Sequence, residues 1–284
     1  HKGDTLANAV PKVASGGFDV GYGDMNALIE MAGHTPEAAP VAVYVMHNAS
    51  PYTIAVAADG PVRSPADLAG VELLSHPQDA AMRMFPEFAE SAGLDPASAR
   101  ITIAPEHHGE LIGGVLAGEA AGLFGFVNTL GAAAREYGIP PEKLRHFEWR
   151  HVVPDLYGAA VMVKPALLRE RPEVVQGFVA AVNEGLRDTI ADPDAAVAAV
   201  ARRNPALHVP ANHARLMGTL ALEMAHPEGQ RLGIGDVDEA RLARAIAVIS
   251  AAKSLPSRPP ASAIFRRDAL PADALRIRSL PVWG

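Results

Sequence analysis

Polar residues stand at the turns where predicted strands give way to predicted helices, and their types and spacing could do chemistry. Three such turns cover residues 23–26 (GDMN), 75–79 (SHPQD) and 125–128 (GFVN). Carboxylate, amide and hydroxyl groups at these positions can cap the first N–H groups of a helix. The same helix starts can hold polar or anionic groups of a ligand. The pattern indicates non-covalent ligand binding, with simple capping as the alternative for Asp24, Asn26 and Asn128.

Two other motifs resemble known chemical sites only in part. Residues 106–110 (EHHGE) contain adjacent histidines, but they lack the spacing that puts two imidazoles on one helix face. Gly21 and Gly23 follow a strand as in a dinucleotide-binding turn, but Asn26 stands at the position of the third glycine. Neither a phosphate-binding Gly-Lys-Ser/Thr loop nor a Gly-x-Ser-x-Gly elbow occurs. These observations favour a protein without a catalytic residue, a metal or a cofactor.

The composition excludes several further classes. The chain has 284 residues, a formal net charge of -7 and no cysteine. Zero cysteines rule out disulfides, thiolate metal sites and Cys nucleophiles. Lys and Arg are scattered, so no basic stripe predicts nucleic-acid binding. The longest apolar runs are far shorter than the roughly 20 residues that span a bilayer, so no direct membrane insertion is expected.

Short apolar runs alternate with longer Ala/Leu-rich segments, which predicts an α/β protein with parallel strands in doubly wound sheets. After about Lys164 helices dominate, and the tail over residues 254–284 is predicted to be extended. The predicted strands cover residues 18–21, 41–46, 53–58, 71–74, 101–104, 121–124 and 158–163.

An internal repeat links two parts of the chain. Residues 14–28 can be laid on residues 116–130 without a gap, at a constant offset of 102. Gly16 then meets Gly118, and Asn26 meets Asn128. The repeat predicts two lobes of like construction, with chance similarity of Ala/Gly-rich segments as the alternative. In an open α/β sheet ligands bind beyond the carboxyl ends of the strands, so the repeat also predicts where the site lies.

Five motifs in order resemble the SsuA/ThiY-like branch of type II periplasmic solute-binding proteins. They lie at residues 12–28, 63–70 (RSPADLAG), 115–121 (VLAGEAA), 172–178 (PEVVQGF) and 265–271 (FRRDALP). The resemblance implies two doubly wound α/β lobes joined by a double hinge, followed by a helical C-terminal region. The implied division is 1–60 for the first lobe, 61–158 for the second, 159–253 for the return and C-terminal helices, and 254–284 for the tail. Relatives begin with a strand, a helix and a second strand before the position of Gly3, and we expect the given sequence to be truncated rather than the protein to lack that unit.

Carried over onto this sequence, the resemblance implies a pocket built from five turns. Phe126 and Trp149 are expected to stack on a planar ligand, with packing as the alternative, whereas Tyr22 is expected mainly in the core. His107 and His108 are expected to line the cleft without a metal. The candidate ligand-binding residues are Asp4, Thr5, Asp24, Asn26, Ser75, Gln78, Asp79, Phe126, Asn128 and Trp149.

The resemblance implies a periplasmic, monomeric solute-binding protein of an ABC importer, with a small-molecule ligand, a permease and its ATPase as partners. Asp4, Asp24 and Asp79 at the turns disfavour an anion, so a thiamine-pyrimidine-like heterocycle is preferred over sulfonate or nitrate. One alternative is an enzyme of thiamine-pyrimidine synthesis on the same fold, which the absence of cysteine opposes. The other alternative is a ligand-sensing domain. Any signal peptide is expected to lie outside the given chain.

Overall fold

The computed structural model describes residues 6–281, apart from the side chain of Ala7. The chain divides into two compact units. The first unit contains residues 1–50, 155–196 and 220–284, and the second contains residues 51–154 and 197–219. The sequence predicted crossings near residues 60 and 158. In the structure residues 197–219, expected with the first lobe, belong to the second unit.

Each of the seven predicted strands overlaps a strand of the structure, and one further strand occurs that the patterns did not predict. The strands are β1 (Val20–Asp24), β2 (Val41–Val45), β3 (Tyr52–Ala57), β4 (Glu72–Ser75), β5 (Arg100–Ile103), β6 (Gly122–Phe126), β7 (Leu144–Glu148) and β8 (Ala159–Val163). The helices are α1 (Leu6–Ala14), α2 (Met25–His34), α3 (Ala80–Arg83), α4 (Phe85–Ser91), α5 (His108–Ala117), α6 (Val127–Glu136), α7 (Trp149–Val152), α8 (Pro165–Glu170), α9 (Pro172–Ala191), α10 (Pro193–Arg203), α11 (Val209–Thr219), α12 (Pro227–Leu232), α13 (Glu239–Ala252) and α14 (Ala261–Ile264).

The first unit is built on a sheet with the order β1-β8-β2. Both neighbours run antiparallel to β8, so the parallel pairing predicted for this region is wrong. Strands β2 and β8 are buried along their whole length, which suits their Val- and Ala-rich sequences. Helix α1 packs closely on β1 because Gly21 has no side chain there. A Cβ at Gly21 would lie 2.6 Å from Cγ2 of Val13.

The second unit contains a five-stranded mixed sheet with the order β5-β4-β6-β3-β7. Strand β4 pairs in parallel with β5 and β6, whereas β3 runs antiparallel to β6 and β7. The predicted parallel arrangement therefore holds for three of the strands. Strand β7 was missed because its sequence, LRHFE, places two polar residues, Arg145 and His146, between its two buried ones.

The internal repeat is reproduced element by element. Strand β1 and helix α2 correspond to β6 and α6 at the offset of 102, with the same first and last positions. Gly16 and Gly118, which follow α1 and α5, both have left-handed backbones, with φ of 83° and 80°. Glycine suits these positions because a side chain is strained at positive φ. Among the described residues no helix is both long and apolar enough to cross a membrane.

Candidate ligand-binding site

The first turn lies in the first unit, between β1 and α2. Asp24 is the N-cap of α2, and its Oδ1 accepts hydrogen bonds from the Asn26 backbone N at 2.7 Å and from Nδ2 of Asn26 at 3.1 Å. Nδ2 of Asn26 also donates to the carbonyl of Tyr157 at 2.6 Å. Asp24 and Asn26 are 2% and 0% exposed. These contacts show the capping role that sequence analysis gave as the alternative, and they brace the turn against the start of the return segment.

A buried polar network stands behind this turn. The hydroxyl of Tyr157 donates to Oε1 of Glu228 at 2.8 Å, and Nη1 of Arg241 donates to Oε2 of Glu228 at 3.1 Å. Nη2 of Arg241 donates to the carbonyls of Asn48 and Leu156, at 2.6 Å and 3.0 Å. The guanidinium also lies over the Tyr157 ring, 4.1 Å from its centroid. Arg241 thus ties together the two chain segments that lead to and from the second unit.

Tyr22, one residue before the turn, belongs to a second polar group in the first unit. Sequence analysis placed it mainly in the core, but the residue is 43% exposed. Its hydroxyl lies 3.1 Å from Nε2 of His47, and Nδ1 of His47 lies 3.2 Å from Oε2 of Glu223. His47 follows β2 as the candidate residues follow their strands, so the same rule could have found it. Glu223 lies in a π-helical segment, Leu220–Met224, and carries no comparable signal in the sequence.

In the second unit, three candidate residues share the turn after β4 but have different surroundings. They are Ser75, Gln78 and Asp79. Ser75 is fully buried, and its hydroxyl donates to the carbonyl of His76 at 3.2 Å. Gln78 is exposed and has a left-handed backbone with φ of 62°, a strained conformation for a residue with a side chain. Asp79 caps α3 by accepting from Ala81 N and Met82 N. Burial raises the pKa of the Asp79 carboxyl, and those two hydrogen bonds act against the rise.

Histidines line the neighbouring part of the second unit. The rings of His76 and His108 have centroids 4.1 Å apart. Burial lowers the pKa of His108 to about 4, with the charges of His76 and His107 adding to the effect. Burial also lowers the pKa of His76. Among residues 6–281, no group of three or more His, Asp or Glu side chains could hold a metal ion.

The turn after β6 carries the last candidates. Phe126 is half-buried, and its ring centroid lies 5.7 Å from that of Tyr52. Asn128, also half-buried, lies against α11 at Gly218, where a Cβ would come 2.1 Å from its Oδ1. Glycine at position 218 therefore makes room for the amide. Phe126 is the N-cap of α6 without a side-chain hydrogen bond, so the second copy of the turn lacks the polar cap of the first.

Trp149 is a core residue, and its predicted stacking on a ligand is not supported by its surroundings. It is 0% exposed, and its Nε1 donates to the carbonyl of Met84 at 2.8 Å. The ring of Phe88 lies 4.3 Å away between centroids, with Tyr52 and Phe124 farther out. An indole enclosed in this way has no face left for a ligand. Asp4 and Thr5 lie outside the described residues.

A cavity of about 780 Å³ opens at the other end of the second unit's sheet, where β4 and β5 begin. Its charged lining residues are Asp59, Glu72, Arg100, Glu119 and Lys143. None of the candidate residues within the described part of the chain lines it. It is therefore separate from the turns that the sequence singled out.

Comparison with solved structures defines the class of fold. The periplasmic aliphatic sulphonate binding protein SsuA from Escherichia coli is 15% identical, with a TM-score of 0.68 over 99% of this chain and 86% of that one. The alkanesulfonate-binding protein SsuA from Xanthomonas axonopodis pv. citri, bound to MOPS, is 17% identical, with a TM-score of 0.64 over 92% and 85%. The desulfurization enzyme DszB is 14% identical, with a TM-score of 0.54 over 88% and 83%. The fold is that of the type II periplasmic binding proteins.

A family model described as "NMT1/THI5 like" matches residues 2–196. The chain belongs to the NMT1/THI5-like family. The comparison with curated protein sequences gives no match. The family and the fold agree with the resemblance inferred from the five sequence motifs.

Proposed function

We propose that this protein is a periplasmic solute-binding protein of an ABC importer. It captures a small organic molecule and delivers it to a permease that is driven by an ATPase. The observation that carries the proposal is the repeated strand–turn–helix, which gives each unit a turn at the carboxyl end of a strand. Family membership supports it, and so does the fold shared with proteins whose names record sulfonate binding.

The proposed contacts lie at the turns that follow β4 and β6. Gln78, Asp79, Phe126 and Asn128 are at least partly exposed and are proposed to touch the ligand. Asp24, Asn26 and Ser75 are buried, and their predicted role in binding would act through the shape of their turns. Non-covalent capture needs polar groups that replace the hydration of the ligand, which these carboxylate and amide groups provide.

The preferred ligand is an amino-bearing heterocycle of the thiamine-pyrimidine type, ahead of sulfonates and nitrate. Asp79 stands at the turn after β4, and a carboxylate attracts N–H donors and repels anions. The half-buried ring of Phe126 can pack against a flat ring system. An enzyme that uses a cysteine is opposed by the sequence, which contains none.

Thermal unfolding with a panel of aminopyrimidines, aliphatic sulfonates, nitrate and small aromatic acids tests the proposal. A ligand at 100 times its Kd adds about 2.7 kcal/mol to the free energy of unfolding, which raises Tm by several degrees. We expect the aminopyrimidines to give the largest rise. Folded protein that responds to no member of the panel would contradict solute binding of the proposed classes.

The residues are tested by Asn128→Ala and Asp24→Ala. Each is expected to weaken binding of the panel's best ligand by at least about 1 kcal/mol, the usual value of one hydrogen bond. Asn204→Ala is the matched control, because Asn204 is an exposed amide in the loop after α10. Unchanged affinity in both test variants would exclude a site at the two turns.

A further inference from the structure

Helix α11 belongs to a stretch of chain that joins the second unit from within the sequence of the first. Residues 197–219 are part of the second unit, whereas the segments before and after them, 155–196 and 220–284, are part of the first. Helix α11 packs against α6, and Ala211 on α11 is completely buried. The helix that begins at the candidate turn after β6 is therefore supported by a segment that sequence analysis placed with the first lobe.

The last turn of α11 meets the candidate site at Gly218. A Cβ on Gly218 would lie 2.1 Å from Oδ1 of Asn128, 2.8 Å from its Cγ and 3.4 Å from its Nδ2. Non-bonded carbon atoms pack best at about 3.5–4.0 Å, so the first two distances are severe clashes. The amide of Asn128 occupies the space that any side chain at position 218 would need.

The backbone of α11 gives no other reason for a glycine at this position. Gly218 lies within the helix and is not among the glycines with positive φ. At such a position glycine weakens a helix relative to alanine, because it has more backbone freedom to lose on folding. The glycine therefore costs stability, and the room it leaves for the amide of Asn128 is the gain that the structure shows.

The amide is also held from the side of its own helix. Asn128 is the second residue of α6, and the first, Val127, donates its N–H to the carbonyl of Pro51 at 2.9 Å. Helix α11 lies near the start of α5 as well. Burial is the main cause of the low pKa of His108, and the charge of Arg215 on α11 adds to the lowering. Helix α11 thus lies beside the first residues of both α5 and α6.

We infer that Gly218 is a positioning residue of the ligand site, through which α11 holds the amide of Asn128 where the bound solute meets it. The inference rests on the proposed solute-binding function and on the contact proposed for Asn128. It adds to the site a helix that lies outside all the turns singled out by the sequence. A residue that does not touch the solute then affects its affinity, because a hydrogen bond weakens steeply as its angle departs from the ideal.

A double-mutant cycle of Gly218→Ala and Asn128→Ala tests the coupling by calorimetric titration. The probes are 4-aminopyrimidine, methanesulfonate, nitrate and benzoate, and the cycle uses the one that wild-type protein binds most tightly. Gly218→Ala displaces the amide and is expected to weaken that probe at least about fivefold, the factor for one net hydrogen bond. In the Asn128→Ala background the same change should weaken it less than about twofold, because no amide is left to displace.

Thermal unfolding shows whether the added methyl group acts through the amide. Gly218→Ala should lower Tm in the wild-type background and raise it in the Asn128→Ala background, where alanine only strengthens the helix. Gly113→Ala is the matched control, since Gly113 is an exposed glycine within α5 and a Cβ there would meet nothing within 4 Å. It should raise Tm and leave the affinity unchanged.

Two results address a purely structural role. A change of Tm in Gly218→Ala without a change of affinity would overturn the inference. If Gly218→Ala does not fold, Asn128→Gln decides, because its longer side chain cannot place the amide beside Gly218. Asn128→Gln should lose about as much affinity as Asn128→Ala, and wild-type affinity in that variant would overturn the inference.

The outcomes separate the two proposals. Wild-type affinity in Gly218→Ala, or an equal loss in both backgrounds, would overturn the inference and leave solute binding intact. Unchanged affinity in Asn128→Ala would do the same, since the amide would then make no contact with the probe. Folded wild-type protein that binds none of the four probes contradicts the proposed function and the inference with it.

Discussion

The two copies of the strand–turn–helix repeat share a backbone but are supported by different chemistry. Behind the turn of the first copy lie hydrogen-bonded polar groups, from Asn26 through Tyr157 to the ion pair of Glu228 with Arg241. Behind the turn of the second copy lie aromatic rings, with Phe126 on Tyr52 and Tyr52 on Trp149.

The comparison shows that the repeated glycines and apolar residues preserve the path of the backbone, whereas the residues packed behind the two turns differ completely. Gly16 and Gly118 end equivalent helices with nearly equal φ. Asp24, in contrast, corresponds to Phe126, so a polar cap has become an apolar contact. The first copy depends on satisfied charges and the second on packing, and their responses to substitution should differ accordingly.

The largest expected effect is that of Arg241→Met. The substitution leaves the carboxylate of Glu228 buried without its guanidinium, so the free energy of unfolding should fall by about 3–5 kcal/mol. Urea unfolding followed by circular dichroism measures the change. Arg244→Met is the control, because the guanidinium of Arg244 pairs with Asp155 in an exposed position and should contribute little to stability. Equal losses in the two variants would show that the polar support is no stronger than a surface pair.

An intermediate loss of stability is expected when the pH is lowered, because of a buried histidine in the second unit. Burial lowers the pKa of His146 to about 4, whereas an unfolded histidine titrates near about 6.5. Between these values the unfolded chain binds the proton and the folded chain does not, so stability is lost as pH falls through this window. His146 should contribute up to about 2 kcal/mol to the loss between pH 7 and pH 5.

Urea unfolding of His146→Gln at both pH values measures this contribution. The variant should lose less stability than the wild type on acidification, since glutamine does not titrate. His151→Gln serves as the control on the same stretch of chain, at an exposed histidine. Identical pH dependence of His146→Gln and the wild type would contradict a depressed pKa at this site.

The smallest expected loss of stability tests whether the two copies of the repeat end their helices in the same way. Gly16→Ala and Gly118→Ala should each lower the free energy of unfolding by about 1–2 kcal/mol, because alanine is strained at positive φ. Space is not the cause, since a Cβ at Gly118 would meet nothing within 4 Å and one at Gly16 would meet only Nζ of Lys164, at 3.7 Å. Thermal unfolding of both variants checks the equality. A loss confined to one variant would show that the helix ends are not equivalent.

Much of the fold could be predicted from the sequence because local signals agreed with one another. The offset of 102 predicted the equivalence of α2 and α6, and these two helices have the same first and last positions at that offset. Strand β7 was missed because pairing on the edge of a sheet allows charged residues in a strand. Strand direction in the first unit was missed because β8 arrives from a distant part of the chain.

The candidate site was less predictable, because a side chain's surroundings depend on distant segments. Trp149 carries no local sign that Phe88 and Met84 enclose it. The contact of His47 with Glu223 likewise joins residues far apart in sequence. The helix caps at Asp24 and Asp79 involve neighbouring residues only, and capping was foreseen for Asp24 as the alternative to ligand contact.

The order of strands in the first unit has a consequence for the order in which the parts of the chain fold. Strand β2 ends at Val45, whereas its partner β8 begins only at Ala159. Neither β1 nor β2 can form its pairing in this sheet until β8, which is distant in sequence, has reached them. Closing so long a loop is entropically costly and slow, and unpaired strand edges meanwhile invite aggregation. The contiguous run of residues 51–154 can condense first. Folding of the first unit should therefore finish with the pairing of β8 between β1 and β2.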